Sequence, residues 1–361
     1  MKVAVIRREY ITHLDGINRF IAWLAEGLVK LGHDVFLVSW CYSDKVKYEE
    51  LSSWFKLAHG LDVEPPIYTL ENGPCKGDPW VKMLLKWWLD GGGLLSREGA
   101  DVGLVNGSLL LRFKPKITVA HGPILNWSFH RRLIQRIFYS TFDKIVCVSE
   151  ETKRQCNKAG ILECDEIIPL PVKLDLYKPR ELSQRENIIV HVGTRPVKNP
   201  DISIKAVEEL RKRGLDVELA IIGPSSRELE MQVKDKSYIK TFFDVEEKRK
   251  NEILCNSKAF ILPSSAEAYP LSVLEAMACG TPVVVSSAVP KEVVINEYNG
   301  VMVNSLNPIE YANALEKLLG NEEYWLRISK NELSFVEQFD YIKIAKKYEE
   351  ILTKLAKTNK D

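Results

Sequence analysis

No two of the seven cysteines stand at Cys-x-x-Cys spacing, and none clusters with the six histidines. That excludes the common zinc sites. The residues at 41, 75, 147, 156, 164, 255 and 279 therefore read as small buried hydrophobes, without a disulfide framework. An Asp-x-Asp triplet is also missing, which fits chemistry that needs no bound metal. No apolar run reaches the ~18 residues of a membrane-spanning helix. The first residues, MKVAVIRREY, run straight into charge without the apolar core and cleavage site of a signal peptide. The expectation is a cytoplasmic chain, free or peripheral at the membrane face. Net charge is nearly absent too: 50 Lys plus Arg against 49 Asp plus Glu leave +1. No broad field exists to hold nucleic acid, so any phosphate binding must be local.

What is present is apolar patterning, with 45% hydrophobic and 27% charged residues over 361 positions. Single cores stop growing near ~250 to 300 residues, so two domains are expected. Short β-branched runs alternate with amphipathic stretches, the mark of parallel sheets wrapped by helices. In the first half, strands are expected at Val3–Ile6, Val35–Ser39, Ile67–Leu70, Val102–Asn106, Ile117–His121, Ile145–Ser149 and Glu166–Pro169. Helices Ile17–Leu31 and Trp127–Tyr139 fall between them. Pro169 and Pro171 end this half, and residues 173–186 read as a polar linker. The pattern then restarts. Strands are expected at Ile188–Val192, Val217–Ile222, Ala259–Pro263, Pro282–Ser286 and Val301–Val303, with helices Pro200–Arg213 and Leu271–Cys279. The division is 1–172, the linker, 187–335, and a closing segment 336–361 whose helix Tyr341–Ala356 returns to the first domain. Open parallel sheets bind ligands beyond the carboxyl ends of their strands, so the loops leaving each strand carry the interest.

The most informative of these loops is Ser264 to Val285. A strand ends at Pro263, Glu267 sits in the loop, Pro270 suits a first helical turn, and Glu275 follows on a helix ended by Gly280. A helix N-terminus offers unpaired amides to a phosphate. Two carboxylates flanking it can take hydroxyls on either side, a sugar and a ribose being natural candidates. Seven residues separate Glu267 from Glu275, and Glu275-Ala276-Met277-Ala278-Cys279-Gly280-Thr281-Pro282-Val283-Val284 follows. In this the sequence resembles the retaining glycosyltransferases of family 4. The resemblance implies the α/β fold called GT-B, two Rossmann-like domains facing across a cleft, with the donor on the C-terminal side and the acceptor on the N-terminal side. Gly32-His33-Asp34-Val35, Pro169 to Tyr177 and Asn299-Gly300-Val301-Met302-Val303 extend it over nearly the whole chain.

By that resemblance Glu267 approaches the donor sugar and Glu275 holds the ribose, with Tyr269, Pro270, Leu271 and Ser272 lining the donor. Ala268 departs from the glycine many relatives have. In Gly193-Thr194-Arg195-Pro196-Val197-Lys198-Asn199, Arg195 can fork onto phosphate oxygens and Lys198 can add a point charge. The family places such a pair on the donor diphosphate, though here it is more tightly spaced. Gly16 in Asp15-Gly16-Ile17-Asn18-Arg19 stands for a glycine pair that relatives keep under the diphosphate. His121, in His121-Gly122-Pro123, resembles the family's histidine beside the sugar. No cofactor is implied; the nucleotide-diphosphate sugar is itself the substrate, and the acceptor a glycan, lipid-linked or small molecule. A nucleotide-sugar epimerase or hydrolase, or a silent binding protein, is the alternative.

Three further stretches read as structure. Trp80–Leu95 is a core helix followed by a Gly91-Gly92-Gly93 turn, with a membrane or lipid-linked acceptor as the competing reading. Arg131, Arg132 and Arg136 lie on a solvated helix face, or attract anionic lipid. Glu246 to Glu252 reads as exposed helix.

Overall fold

The computed structural model describes residues 1–71, 73, 75, 80–122, 128–161 and 163–358. Pro123 and Trp127, included above in a motif and a helix, lie outside them. The chain divides into two compact units, Met1–Pro171 with Phe339–Asp361, and Val172–Gln338.

In the first unit seven parallel strands form one sheet: β1 (Lys2–Tyr10), β2 (Asp34–Cys41), β3 (Ile67–Thr69), β4 (Val102–Asn106), β5 (Lys116–Ala120), β6 (Lys144–Cys147) and β7 (Glu166–Ile167). Their order is β3-β2-β1-β4-β5-β6-β7. The strands are nearly continuous apolar runs because helices cover both faces. Those helices are α1 (Gly16–Lys30), α2 (Leu51–His59), α3 (Trp80–Lys86), α4 (Gly92–Arg97), α5 (Phe129–Tyr139) and α6 (Glu150–Lys158).

The second unit repeats the plan. Its elements are β8 (Glu186–Val192), α7 (Pro200–Lys212), β9 (Glu218–Gly223), α8 (Arg227–Val233), β10 (Ile239–Phe243), α9 (Glu247–Asn256), β11 (Ser257–Leu262), α10 (Leu271–Ala278), β12 (Val283–Ser286) and β13 (Val301–Val303). Helices α11 (Pro308–Leu319) and α12 (Glu322–Val336) complete it. The six strands, all parallel, run β10-β9-β8-β11-β12-β13. In both sheets the order reverses beside the first strand, at β1/β4 and at β8/β11, which is where such sheets open to ligands.

Helix α13 (Tyr341–Thr358) returns to the first unit. Tyr341, Ile344, Ala345, Tyr348, Ile351 and Leu352 are buried at helical spacing. Gly27 of α1 makes the close approach possible, since a Cβ there would lie 2.6 Å from Ala345 Cβ. His33 Nε2 meets Glu349 at 2.8 Å, and Lys30 Nζ donates to Tyr341 Oη at 2.6 Å, fixing the register.

Three expectations fail. Two disulfides are present, Cys41–Cys75 and Cys255–Cys279, 34 and 24 residues apart in sequence. Neither separation is a motif; the fold alone brings the partners together. Cys147, Cys156 and Cys164 stay free and buried. The glycine turn expected after the Trp80–Leu95 helix is absent, although Trp87, Leu94 and Leu95 do enter the core. None of the α3 side chains is buried, a π-helical turn spans Trp87–Gly91, and the glycines continue as helix into α4. Gly91 and Gly92 serve close contact, because a Cβ on them would fall 2.8 Å from Leu111 Cδ1 and 1.9 Å from the Arg112 carbonyl oxygen. Finally, the run Glu246 to Glu252 is exposed on one face only: Glu246, Lys248, Arg249 and Glu252 meet solvent, whereas Glu247 and Lys250 are 5% and 4% accessible. No helix among the described residues is long and apolar enough to cross a membrane.

Candidate functional site

The sheet reversal at β8/β11 puts two loops side by side, residues 193–199 after β8 and 263–270 after β11. They are clipped together by Ser265 N–H donating to the Val197 carbonyl at 2.9 Å and Asn199 Nδ2 donating to the Pro263 carbonyl at 2.8 Å. Asn199 takes a left-handed backbone, φ 50°, a conformation asparagine tolerates better than most residues. Across the junction Lys198 Nζ lies 2.6 Å from Glu267 Oε1, and Ser264 Oγ donates to the same oxygen at 2.5 Å. Both charged side chains are largely out of water, 12% and 8% accessible, so the pair is far less screened than a surface ion pair.

Gly193 makes this placement possible. Its φ is +125°, and a Cβ there would stand 2.7 Å from Lys198 Cγ. The turn is braced from below by His191, which is fully buried. Loss of hydration pushes its pKa down to about 4 despite the Gly193 carbonyl, so the ring is neutral. Its Nε2 lies 2.7 Å from that carbonyl oxygen, which can only accept, and Nδ1 lies 2.8 Å from Ser203 Oγ. Nε2 therefore carries the hydrogen and Nδ1 accepts from the serine. Arg195, by contrast, is exposed.

Tyr269, Pro270, Leu271 and Ser272 are buried where the loop enters α10, with Pro270 in the cap position just before the first helical residue. Burial, then the Glu292 charge, raises the Tyr269 pKa well above its usual value. Glu275 is fully buried, and its Oε2 accepts from Lys250 Nζ at 2.9 Å. Lys250 also meets Glu247 at 2.5 Å, so one buried ammonium on α9 serves two carboxylates. At the far end of α10, Arg185 donates to the Cys279 carbonyl at 2.6 Å and to Thr281 Oγ1 at 2.7 Å. A cation suits a helix C-terminus, and burial lowers its pKa to about 10, leaving it charged. The Cys255–Cys279 bond ties α9 to the same end. Lys250, Ser264, His191 and Arg185 carry no motif signal; only their burial and partners reveal them.

In the first unit the reversal lies between β1 and β4. Asp15 Oδ1 accepts from Asn18 N–H at 2.8 Å and caps α1, whose first residue is Gly16. Arg7, in the second half of β1, donates to Asp15 at 3.0 Å. His121 follows β5, with Nε2 3.4 Å from Asn106 Oδ1 and its ring edge-on to Phe20 at 5.3 Å. Burial, then the Arg7 charge, lowers its pKa to about 3, so it is a neutral imidazole at physiological pH.

Comparison with known proteins agrees with this architecture. Alr3699/HepE of Anabaena, solved in complex with UDP and glucose, superposes with a TM-score of 0.77 at 16% identity over 98% of this chain and 100% of that one. Two parallel α/β units of this kind form the GT-B fold. The family model Glycosyltransferase Family 4 matches residues 14–176, and Glycosyl transferases group 1 matches 175–334. The chain belongs to glycosyltransferase family 4. An uncharacterized glycosyltransferase of Haemophilus influenzae is 28% identical over 62% of this chain and 64% of its own length. The N,N'-diacetylbacillosaminyl-diphospho-undecaprenol alpha-1,3-N-acetylgalactosaminyltransferase of Campylobacter jejuni is 35% identical over 29% of this chain and 28% of its own. Both alignments thus span less than two thirds of the relative.

Proposed function

We propose that the chain is a retaining glycosyltransferase, moving a sugar from a nucleoside-diphosphate donor to a hydroxyl on a glycan, lipid-linked or small acceptor without a metal cofactor. The observation that carries this reading is the Lys198–Glu267 pair at the β8/β11 reversal, 2.6 Å apart and largely desolvated, within the family span. As the glycosidic bond breaks, negative charge develops on the departing diphosphate. Lys198, the Arg195 guanidinium and the amides opening α10 stabilise it, while Glu267 faces the sugar and Glu275 the ribose. In the first unit His121 is a neutral imidazole able to donate one hydrogen bond and accept another, and Gly16 opens α1 without a side chain. The UDP and glucose of the Anabaena neighbour support a nucleotide-sugar donor; the Campylobacter relative's name supports a lipid-linked acceptor. The same reading places the chain in the cytoplasm.

Release of nucleoside diphosphate from UDP, GDP and ADP sugars tests this. One donor should be consumed only when acceptor is added, the product should keep the donor's anomeric configuration, and EDTA should leave the rate unchanged. Lys198→Ala should lower turnover by about 100-fold, the usual effect of removing one charge-stabilising donor. Acceptor-independent release would point instead to a hydrolase, and an inverted product or a requirement for a divalent ion would overturn the mechanism.

A further inference from the structure

Helix α3 turns Met83 and Leu84 inward with the neighbouring Trp87, whose indole N–H donates to the Arg8 carbonyl at 3.1 Å. Its other face is as apolar as the inner one. Trp80, Val81, Leu85, Trp88 and Leu89 are exposed, Trp80 by 62% and Leu89 by 59%. A helix apolar on both sides needs a second surface to cover it. Nearby α5 repeats the arrangement, with Gln135, Phe138 and Tyr139 buried and Leu133, Ile134 and Ile137 exposed. The two helices share one side of the first sheet. Phe142, just after α5, packs into the same cluster as Met83, Leu84 and Trp87. Arg112 stacks over the Trp88 ring at 3.7 Å and lines one shallow cleft with Ser140 and Thr141 at the end of α5.

The charges around this surface are mostly basic. Lys82 and Lys86 flank the apolar face of α3 and share the Glu71 carboxylate, at 3.4 and 3.7 Å. Arg112 lies between the helices, and Arg131, Arg132 and Arg136 belong to α5; Asp90 is the single acid on α3 and its π-helical extension. Because the whole chain carries only +1, this basic concentration is local. A second copy of the chain would bring like charges face to face. A bilayer with anionic headgroups instead takes the tryptophans and leucines into its interface and pairs the lysines and arginines with phosphate.

We propose that the outer face of α3 and α5 docks on an anionic phospholipid surface. This stands whether or not the donor-side loops transfer sugar, so its test reads adsorption and not turnover. The full chain is sedimented with phosphatidylcholine vesicles with and without phosphatidylglycerol. Binding should be at least ~10-fold stronger with the anionic lipid and weaken with added salt, as expected of several basic contacts near a charged surface. The triple variant Trp80→Ser/Leu85→Ser/Leu89→Ser should lose binding by ~10-fold or more with its thermal midpoint unchanged, because those side chains touch little of the core. Lys82→Glu/Lys86→Glu should lose the preference for phosphatidylglycerol. Equal binding to both vesicles, unaltered binding of the triple variant, or a chain that ignores vesicles, whether monomeric or self-associated through this face, overturns the proposal.

Discussion

Lys250 holds its ammonium between Glu247 and Glu275, with all three side chains buried. Removing the cation takes the shared ion pair away from two carboxylates that stay out of water, and breaking a buried pair costs about 3–5 kcal/mol in other proteins. Lys250→Met should therefore lower unfolding stability in urea by about that amount. Adding Glu275→Gln should recover part of the loss, because one buried charge then disappears. A Lys250→Met loss below about 1 kcal/mol would mean the pair is solvated like a surface bridge. Gly193 supports a second argument at this scale. Its positive φ and the 2.7 Å approach to Lys198 Cγ mean that Gly193→Ala should displace Lys198 and weaken nucleoside-diphosphate binding by about 10-fold, one lost charge-assisted contact. In a Lys198→Ala background the same change should cost little further affinity, since contacts acting as a unit are not additive. Calorimetry on the four proteins decides; additive losses would separate the two residues.

At the level of elements, the Cys255–Cys279 bond joins the helix of Lys250 to that of Glu275 and closes a loop of 24 residues. A loop of that size corresponds to about 3 kcal/mol of unfolded-state entropy. Cys255→Ser/Cys279→Ser should lower stability by up to about that much. Alkylation of the unreduced, denatured chain should label Cys147, Cys156 and Cys164 alone, and labelling at all seven positions would exclude both bonds. The strands were legible because a parallel strand covered on both faces is an unbroken apolar run, as in Val3 to Ile6. Edge strand β10 was not, because Lys240 and Thr241 interrupt the run where one side meets solvent. Disulfide pairing was illegible for a related reason: partners this far apart are chosen by the packing of α9 on α10. The charged run of α9 looked solvated because it mixes both signs, and the burial of Lys250 depends on Glu247 in the same helix together with Glu275 from a different one. Glu267 and Lys198 could be singled out because each stands in a loop with a recognisable local pattern, whereas Ser264 and His191, which support those loops, and Arg185, which holds the end of α10, stand in no such pattern.

Across the whole molecule, each unit carries a histidine held neutral, the half-buried His121 in the first and the fully buried His191 in the second. Their pKa values are lowered by burial to about 3 and about 4. An unfolded imidazole takes up a proton near pH 6.5, which the folded ring refuses until far lower pH. Below pH 6.5 the unfolded state thus binds more protons, and stability falls as pH drops through the window from 6.5 to the folded values. Once fully developed, the slope is about 1.4 kcal/mol per pH unit for each histidine. In the second unit a buried carboxylic acid acts in the opposite sense. Burial raises the Glu332 pKa well above its usual value, so that group loses stability as pH rises past the ordinary glutamate range. The first unit should accordingly be the more sensitive to mild acid. Urea midpoints at pH 7.5 and 5.5 should differ clearly for the native chain and much less for His121→Asn, which accepts no proton. Equal pH dependence in the two proteins would mean that His121 is hydrated and titrates normally, and would remove the neutral imidazole.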